Sequence, residues 1–373
     1  MEDIKKRSWA EVRLGAIEHN YRALKAVFPA GTKVVGVVKA DGYGHGAIPV
    51  ARRLQEIGGD YLAVACLEEL RALRGAGITL PVLILGWTAP VYAPELAELN
   101  ATQAVGDLDY ARQLSEALRG TGKNLKIHLK LETGMGRTGF RAFGEHALAQ
   151  AARAAEQPGL RAEGIFTHFC VSDADDDRRA FTMVQAERFR EGIAFIEGEL
   201  GRTLELHHCA NSGATLHFPE LGMDMARPGI CLYGLYPGKD HGNVELRPAM
   251  SFYTRVAYVR DYYPGDTVSY GQTYTVSEKS RLAVLTAGYA DGLHRALSGK
   301  LRVVINGRTV QQVGRICMDM CMADVTGLDV NPGDAVEIFG ENMSVDHLAD
   351  AAGTINYELT CALTPRVPRV YIE

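Results

Sequence analysis

The chain has 373 residues, 47% of them hydrophobic and 23% charged, and 40 basic against 45 acidic side chains leave a net charge of −5. At roughly 150 residues per domain this length predicts two domains, each able to bury a core. Mild acidity gives no basic footprint for a nucleic acid and no cationic face for a membrane, and no apolar run approaches the ~20 residues that span a bilayer. The N-terminus, Met1 to Trp9, has charges but no apolar segment behind them, so it does not read as a secretory signal. Seven scattered cysteines suit free thiols in a reducing cytoplasm better than a disulfide framework.

The first two-thirds alternates short apolar runs with longer amphipathic ones. The first helix is expected around Ile17, Tyr21, Leu24 and Val27, which recur on one face. Strands are expected at 33–39 (KVVGVVK), 61–66 (YLAVAC), 80–86 (LPVLILG), 103–106, 125–132 (LKIHLKLE), 160–169, 204–211 and 225–234. Several are continuous and β-branched, as strands covered on both faces are. Further helices are expected over 67–77, 90–99, 109–119, 144–155 and 179–200. Eight such units in roughly 230 residues fit a closed (β/α)8 TIM-like barrel, with a doubly wound open sheet as the alternative. After the polar stretch PGKDHGN near residue 240 the pattern changes. Alternating and β-branched runs punctuated by Pro-Gly, Asn-Gly and Gly-Asp predict a mostly-β domain over 241–373, with one short helix near 345–352. The barrel is then 1–240, although its first residues could pack with the β domain.

The candidate chemistry lies at the strand ends. Lys39 closes the first apolar run and precedes the glycine-rich turn Ala40 to Gly46. A lysine at the C-terminal mouth of a barrel is desolvated and suited to forming a Schiff base, although a strand-ending lysine can also simply snorkel to water. Lys130 to Gly139 (KLETGMGRTG) contains a formal G-x-G-x-x-G. Its position in mid-chain, with Arg137 inside it, argues against a dinucleotide and for an arginine that holds an anionic oxygen. His168 ends the sixth run, and His208 and Ser212 end the seventh; Arg227, Gly229 and Ile230 follow the eighth. Loops after the last two strands are where barrels bind phosphate. His207, His208 and Cys209 are a poor zinc set, because neighbours on a strand face opposite ways. Cys317 and Cys321 read as small apolar filling, so no metal is expected. In the β region, Tyr270 sits in a turn (SYGQTY), where an acidified phenol could serve as a base and an ordinary one would pack across strands.

In this order, VVKADGYGHG, HLKLETGMGRTG, THF, HHCANS, MARPGICLYG, VSYGQTY, AGYADG and GRICMDM resemble the alanine racemases, pyridoxal-phosphate (PLP) enzymes with a barrel and a β domain. The resemblance runs from Trp9 to the C-terminus. It implies that Lys39 binds PLP covalently and is the base for D-alanine, and that Tyr270 is the opposite-face base for L-alanine, delivered to the active site of the other subunit of a homodimer. It further implies that His168 bonds Tyr270, Arg227 faces the pyridine nitrogen and His208 extends that network. Arg137 would meet the phenolic oxygen and the substrate carboxylate, with Lys130, often carbamylated in the family, orienting it. Tyr43, Ser212, Gly229, Ile230 and Tyr357 would cradle the phosphate, and Met318 and Asp319 would approach the substrate carboxylate from the partner. Tyr357 also implies a small pocket and alanine as substrate, and the family supplies D-alanine for peptidoglycan. Asp41-Gly42 replaces the more usual Asn-Ala, and Glu132 the more usual Asp. A serine or broad-specificity racemase of the same fold, and a non-catalytic PLP-binding protein, are the alternatives.

Overall fold

A computed structural model describes Lys5 and residues 7–373. The chain forms two units. One comprises Ile17–Gly42 and Ala47–Arg247; the other comprises Met1–Ala16, Tyr43–Gly46 and Pro248–Glu373. Strand β1 (Trp9–Arg13) belongs to the second of these.

The larger unit is a barrel. Its strands are β2 (Lys33–Val37), β3 (Tyr61–Val64), β4 (Val82–Ile84), β5 (Ala101–Val105), β6 (Leu125–Glu132), the short β7 (Phe140–Arg141), β8 (Leu160–Phe166), β9 (Leu206–His208) and β10 (Met225–Ala226). They pair in parallel in the order β10-β2-β3-β4-β5-β6-β8-β9, with β7 on the side of β6. The ring closes where Arg227 N–H donates to Ala210 O at 2.8 Å and Asp224 N–H to His207 O at 3.2 Å. This closure decides against the open sheet.

Apart from the short β7, each strand falls within or overlaps an apolar run that the sequence singles out, although the run 225–234 is strand only at Met225–Ala226 and ends in a 3-10 turn, Ile230–Tyr233; β2 to β4 are almost entirely buried. Helices Leu67–Gly75, Leu108–Leu118, Glu145–Ala155 and Phe181–Leu200 lie where the apolar period predicts them. The stretch 90–99 divides into a 3-10 turn, Pro90–Tyr92, and a helix, Ala93–Glu98. A helix that the sequence reading passes over, Ala47–Glu56, buries Val50, Ala51 and Leu54 on one face. Gly36 lets it lie close: a Cβ there would be 2.3 Å from Leu54 Cδ1.

The smaller unit is a closed β structure. It continues with β11 (Met250–Tyr262), β12 (Thr267–Val268), β13 (Tyr274–Thr275), β14 (Ser280–Leu285), β15 (Arg302–Ile305), β16 (Arg308–Val313), β17 (Cys321–Asp324), β18 (Ala335–Phe339) and β19 (Arg369–Ile372). The order β14-β17-β16-β15-β18-β11 returns on itself because the long β11 also pairs with β14. Strand β1 adds antiparallel to β11, and β19 adds parallel to β1. The Asn306-Gly307 turn between β15 and β16 has both residues at positive φ, 49° and 73°, as a two-residue hairpin with right-handed twist requires. Val268, Val276, Leu282 and Val313 form one core cluster under Tyr262, Tyr274 and Met322. Two short helices, Val345–Ala352 and Asn356–Cys361, close the chain's last third.

Candidate active site

The C-terminal ends of the barrel strands carry the candidate groups of the larger unit. Lys39 follows β2 and opens a turn in which Ala40, Asp41 and Gly42 have φ of 51°, 51° and 61°. Left-handed backbone costs about 1–2 kcal/mol per non-glycine residue. The turn is therefore a conformation that its surroundings must hold. Tyr233 holds the strand before it, donating its hydroxyl to Val37 O at 2.8 Å.

The next strands supply a cluster of cations. Lys130, on β6, is buried, with its Nζ 5.0 Å from the centre of the Phe166 ring. Burial, reinforced by the charges of Arg227 and Arg137, brings its ammonium down to about 7. Arg137 lies in the exposed glycine-rich loop after β6, whose shape is set by Glu132. That carboxylate accepts from Gly134 N at 2.5 Å and Arg137 N at 3.1 Å. Burial works to raise the Glu132 carboxyl, and the converging loop N–H groups outweigh it. His168, just past β8, is held neutral, well below its ordinary range. Desolvation is the main cause, followed by the positive charges of Arg227, Lys130, Arg137 and Lys39. Four cations thus act on one imidazole at the strand ends.

Arg227 is 4% exposed. It donates through Nη2 to Thr167 O at 2.7 Å and through Nη1 to His208 Nδ1 at 2.5 Å. Burial lowers its guanidinium to about 10, which leaves it charged at neutral pH. The Phe166 ring stacks on His208, 4.9 Å between centroids and 1° from parallel, and lies 5.1 Å from Arg227 Cζ. His208 in turn lies 2.8 Å from His128, Nε2 to Nδ1, and both rings are fully buried. His128 Nε2 faces Glu163 Oε1 at 3.6 Å, an electrostatic contact longer than a hydrogen bond. Burial keeps both imidazoles neutral. The tautomers follow from the donors: Arg227 can only donate, so His208 Nδ1 accepts and its Nε2–H donates to His128. The proton of His128 is then on Nε2, toward Glu163.

His128 and Glu163 are the residues that the sequence reading missed. The signal was the alternation Lys126, His128, Lys130 in an otherwise apolar strand, which puts all three on one face. Glu163 was harder to find. The β6–β8 register shifts there, with Ile127 opposite Ala162 but His128 opposite Gly164, which leaves Glu163 between the pairs. Gly164 makes the room: a Cβ on it would stand 2.7 Å from His128 Cδ2 and Nε2. Burial works to raise the Glu163 carboxyl, but His128 and the Thr102 hydroxyl outweigh it and bring it down to about 2.

Ser212, Gly229 and Ile230 come together after β9 and β10. Gly229 N–H donates to Ser212 Oγ at 2.9 Å, and Asn211 caps the helix Ser212–His217 by accepting from Ala214 N.

The smaller unit holds the other candidates. Tyr43 and Tyr357 pack with ring centroids 5.9 Å apart. Tyr270 is 70% exposed, on a turn whose flanking Ser269 and Gln272 have φ of 68° and 50°. Ser269 Oγ fastens that turn by donating to Arg315 O at 2.7 Å. Met318 is also exposed, at 51%, and Asp319 pairs with Arg366 at 2.8 Å.

Comparison with known proteins agrees with this arrangement. The family profile "Alanine racemase, N-terminal domain" matches residues 12–237, and "Alanine racemase, C-terminal domain" matches 249–371. The chain is 43% identical to an alanine racemase of Desulforamulus reducens, across 99% of this chain and 100% of that protein. It is 44% identical to one of Desulfovibrio desulfuricans, across 98% of each. Among solved structures, the alanine racemase of Streptomyces coelicolor A3(2) superposes with a TM-score of 0.93 at 35% identity, covering 100% of both chains. That of Bacillus anthracis, which holds bound L-Ala-P, gives 0.92 at 34%, over 99% of this chain and 95% of that one. With both of its domain profiles matched and this identity sustained from end to end, the chain belongs to the alanine racemase family.

Proposed function

We propose that Lys39 and Tyr270 are the two bases of this racemase, one for each face of the substrate. The activity itself, PLP-dependent interconversion of L- and D-alanine, is that of the family. The observation that carries the reading on the barrel side is the closed strand order, which brings the strand ends bearing Lys39, Lys130, His168 and Arg227 to one rim, where Arg227 is buried and donates to His208 at 2.5 Å. Such a set fits a cofactor with a phosphate and a phenolic oxygen, both anionic, and an amine to bond its aldehyde. Pyridoxal phosphate supplies an electron sink that acidifies the Cα–H of a bound amino acid.

The chain's own residues would then divide the work. Lys39 takes the Cα proton of D-alanine, or returns it to make D-alanine. Tyr270 would do the same on the opposite face for L-alanine, so each face of the substrate carbon would have its own proton acceptor and donor. Arg227 meets the pyridine nitrogen. A guanidinium offers that nitrogen a hydrogen bond but does not give up its proton, which keeps the ring neutral and restrains transamination. His168 bonds Tyr270. Arg137 holds the phenolic oxygen and the substrate carboxylate. The ammonium of Lys130, near 7, leaves a neutral fraction able to react with carbon dioxide, and the resulting carbamate would orient Arg137. Tyr43, Ser212, Gly229, Ile230 and Tyr357 bind the phosphate, with Tyr357 also limiting the substrate side chain to a methyl group.

The same reading makes the working form a homodimer. Tyr270 and Met318 are exposed, as residues delivered to a neighbouring subunit would be, and Tyr289 and Met320 join them at 41% and 43%. Met318 and Asp319 would reach the partner's substrate carboxylate. The larger unit would then supply Lys39, and the smaller unit, which begins again at Pro248, would supply Tyr270 along with Tyr43 and Tyr357 for the phosphate. Free cysteines suit a cytoplasmic enzyme supplying D-alanine for peptidoglycan, and among the described residues no helix is long and apolar enough to cross a membrane. The test is chiral chromatography of L- and D-alanine after incubation with the protein, with and without added PLP. Racemisation that depends on PLP and disappears in Lys39→Ala is expected; unchanged enantiomers would refute the reading. Equal turnover of serine would favour the broad-specificity alternative.

A further inference from the structure

Glu69 plays no part in the reading above, yet its carboxylate spans two strand ends. Oε1 accepts from Ala40 N at 2.6 Å and Oε2 from Ala65 N at 2.7 Å. Ala40 follows Lys39 directly; Ala65 follows β3. The β2–β3 ladder reaches Val38, whose N–H donates to Ala63 O at 2.9 Å. Beyond that point the backbone of Ala40 turns left-handed and leaves the ladder.

Its place on the helix is also unusual. Cys66 is the N-cap of Leu67–Gly75, so Glu69 is the third helical residue. A glutamate there commonly folds back onto the N-cap's own N–H. Here it reaches one residue further back and, with its second oxygen, across to the neighbouring strand's turn. Aspartate and glycine tolerate left-handed backbone; alanine has no side chain with which to stabilise it. Ala40 is therefore the member of the turn with the least local reason for its conformation, and its N–H is the one that Glu69 holds.

We propose that Glu69 is a positioning residue for Lys39: its two-oxygen clamp fixes the strained turn and, with it, the direction from which the Lys39 amine meets cofactor and substrate. The proposal rests on Lys39 being the base for D-alanine. A glutamine can accept with one oxygen only, and its NH2 group opposes the second backbone N–H. Glu69→Gln should therefore loosen the turn while leaving the helix and barrel folded.

The test uses Glu69→Gln and Glu69→Ala holoenzymes beside the unsubstituted enzyme. Misplacing a base by a fraction of an ångström lowers kcat roughly tenfold to a hundredfold, and KM should stay within about twofold. The primary deuterium isotope effect should rise for α-deuterated D-alanine, whose proton Lys39 removes, and should not rise for α-deuterated L-alanine, whose proton Tyr270 removes. Before PLP is added, hydrogen exchange should quicken in the peptides covering 38–42 and 64–66, whose N–H groups the clamp holds, and stay unchanged elsewhere in the barrel. Unaltered kcat, isotope effects rising equally for both enantiomers, or exchange quickening throughout the barrel would overturn the proposal. If Glu69→Ala does not fold, Glu69→Gln decides. Failure of the unsubstituted enzyme to racemise alanine would instead count against the assignment of Lys39 and Tyr270.

Discussion

His208 and His128 meet ring to ring inside the barrel, Nε2 to Nδ1 at 2.8 Å, with neither exposed to solvent. That contact joins Arg227 at the mouth to Glu163 deeper in. Among the described residues, Arg227 donates to two carbonyls and an imidazole, all uncharged. Its counter-charge is reached through the two histidines. A buried cation without compensation is costly, so the relay matters to stability as well as to function. Replacing His128 by Ala leaves the buried Nε2–H of His208 without an acceptor. The expected loss is about 1–3 kcal/mol, measured by urea unfolding. In 15N spectra the unsubstituted protein should show both imidazoles neutral and protonated at Nε2; a charged His208 would contradict this.

Gly164 tests the same relay with no ionisable group removed. A Cβ at this position would press on the His128 ring at 2.7 Å. Gly164→Ala should cost about 1–3 kcal/mol through overpacking and should shift the His128 15N resonances. Unaltered stability together with unaltered resonances would mean that the ring has room to spare.

Lys130 gives a pH dependence whose sign is fixed. Its ammonium falls from the ordinary 10.5 to about 7 on folding, chiefly through burial. Between those values the unfolded chain binds the proton and the folded chain does not. The lysine's destabilising contribution is therefore fully present below about 7 and fades as pH rises toward 10.5. Lys130→Met, compared with the unsubstituted protein in CO2-free buffer, should be the more stable of the two at pH 7. The margin should shrink steadily toward pH 9. A margin that grows with pH would contradict the assignment.

Much of this was legible in the residues. The runs KVVGVVK, YLAVAC and LPVLILG are strands because each is apolar on both faces, and Asn306-Gly307 is a hairpin turn because its φ values need those residues. The helix 47–56 was not legible: Pro49 and a glycine-rich approach mask a face of only three buried residues. At the strand ends, Lys39, Arg137, His168, His208 and Arg227 could be picked out one at a time. That four cations act on His168 is a property of barrel closure, which brings residues from 39 to 227 to one rim. Glu163 stayed hidden because a register shift defeats counting along the strand. Glu69 stayed hidden because its partners are backbone N–H groups, which leave no mark in a sequence.

The assignment of two bases to two faces is tested most directly by proton exchange in Tyr270→Phe. The variant, loaded with PLP, is incubated in deuterated water with each enantiomer separately, and deuterium at Cα is followed by proton NMR. The account predicts that D-alanine still exchanges its Cα proton through Lys39 while L-alanine does not, and that racemisation is lost. Exchange of both enantiomers at comparable rates, or racemisation close to that of the unsubstituted enzyme, would contradict it.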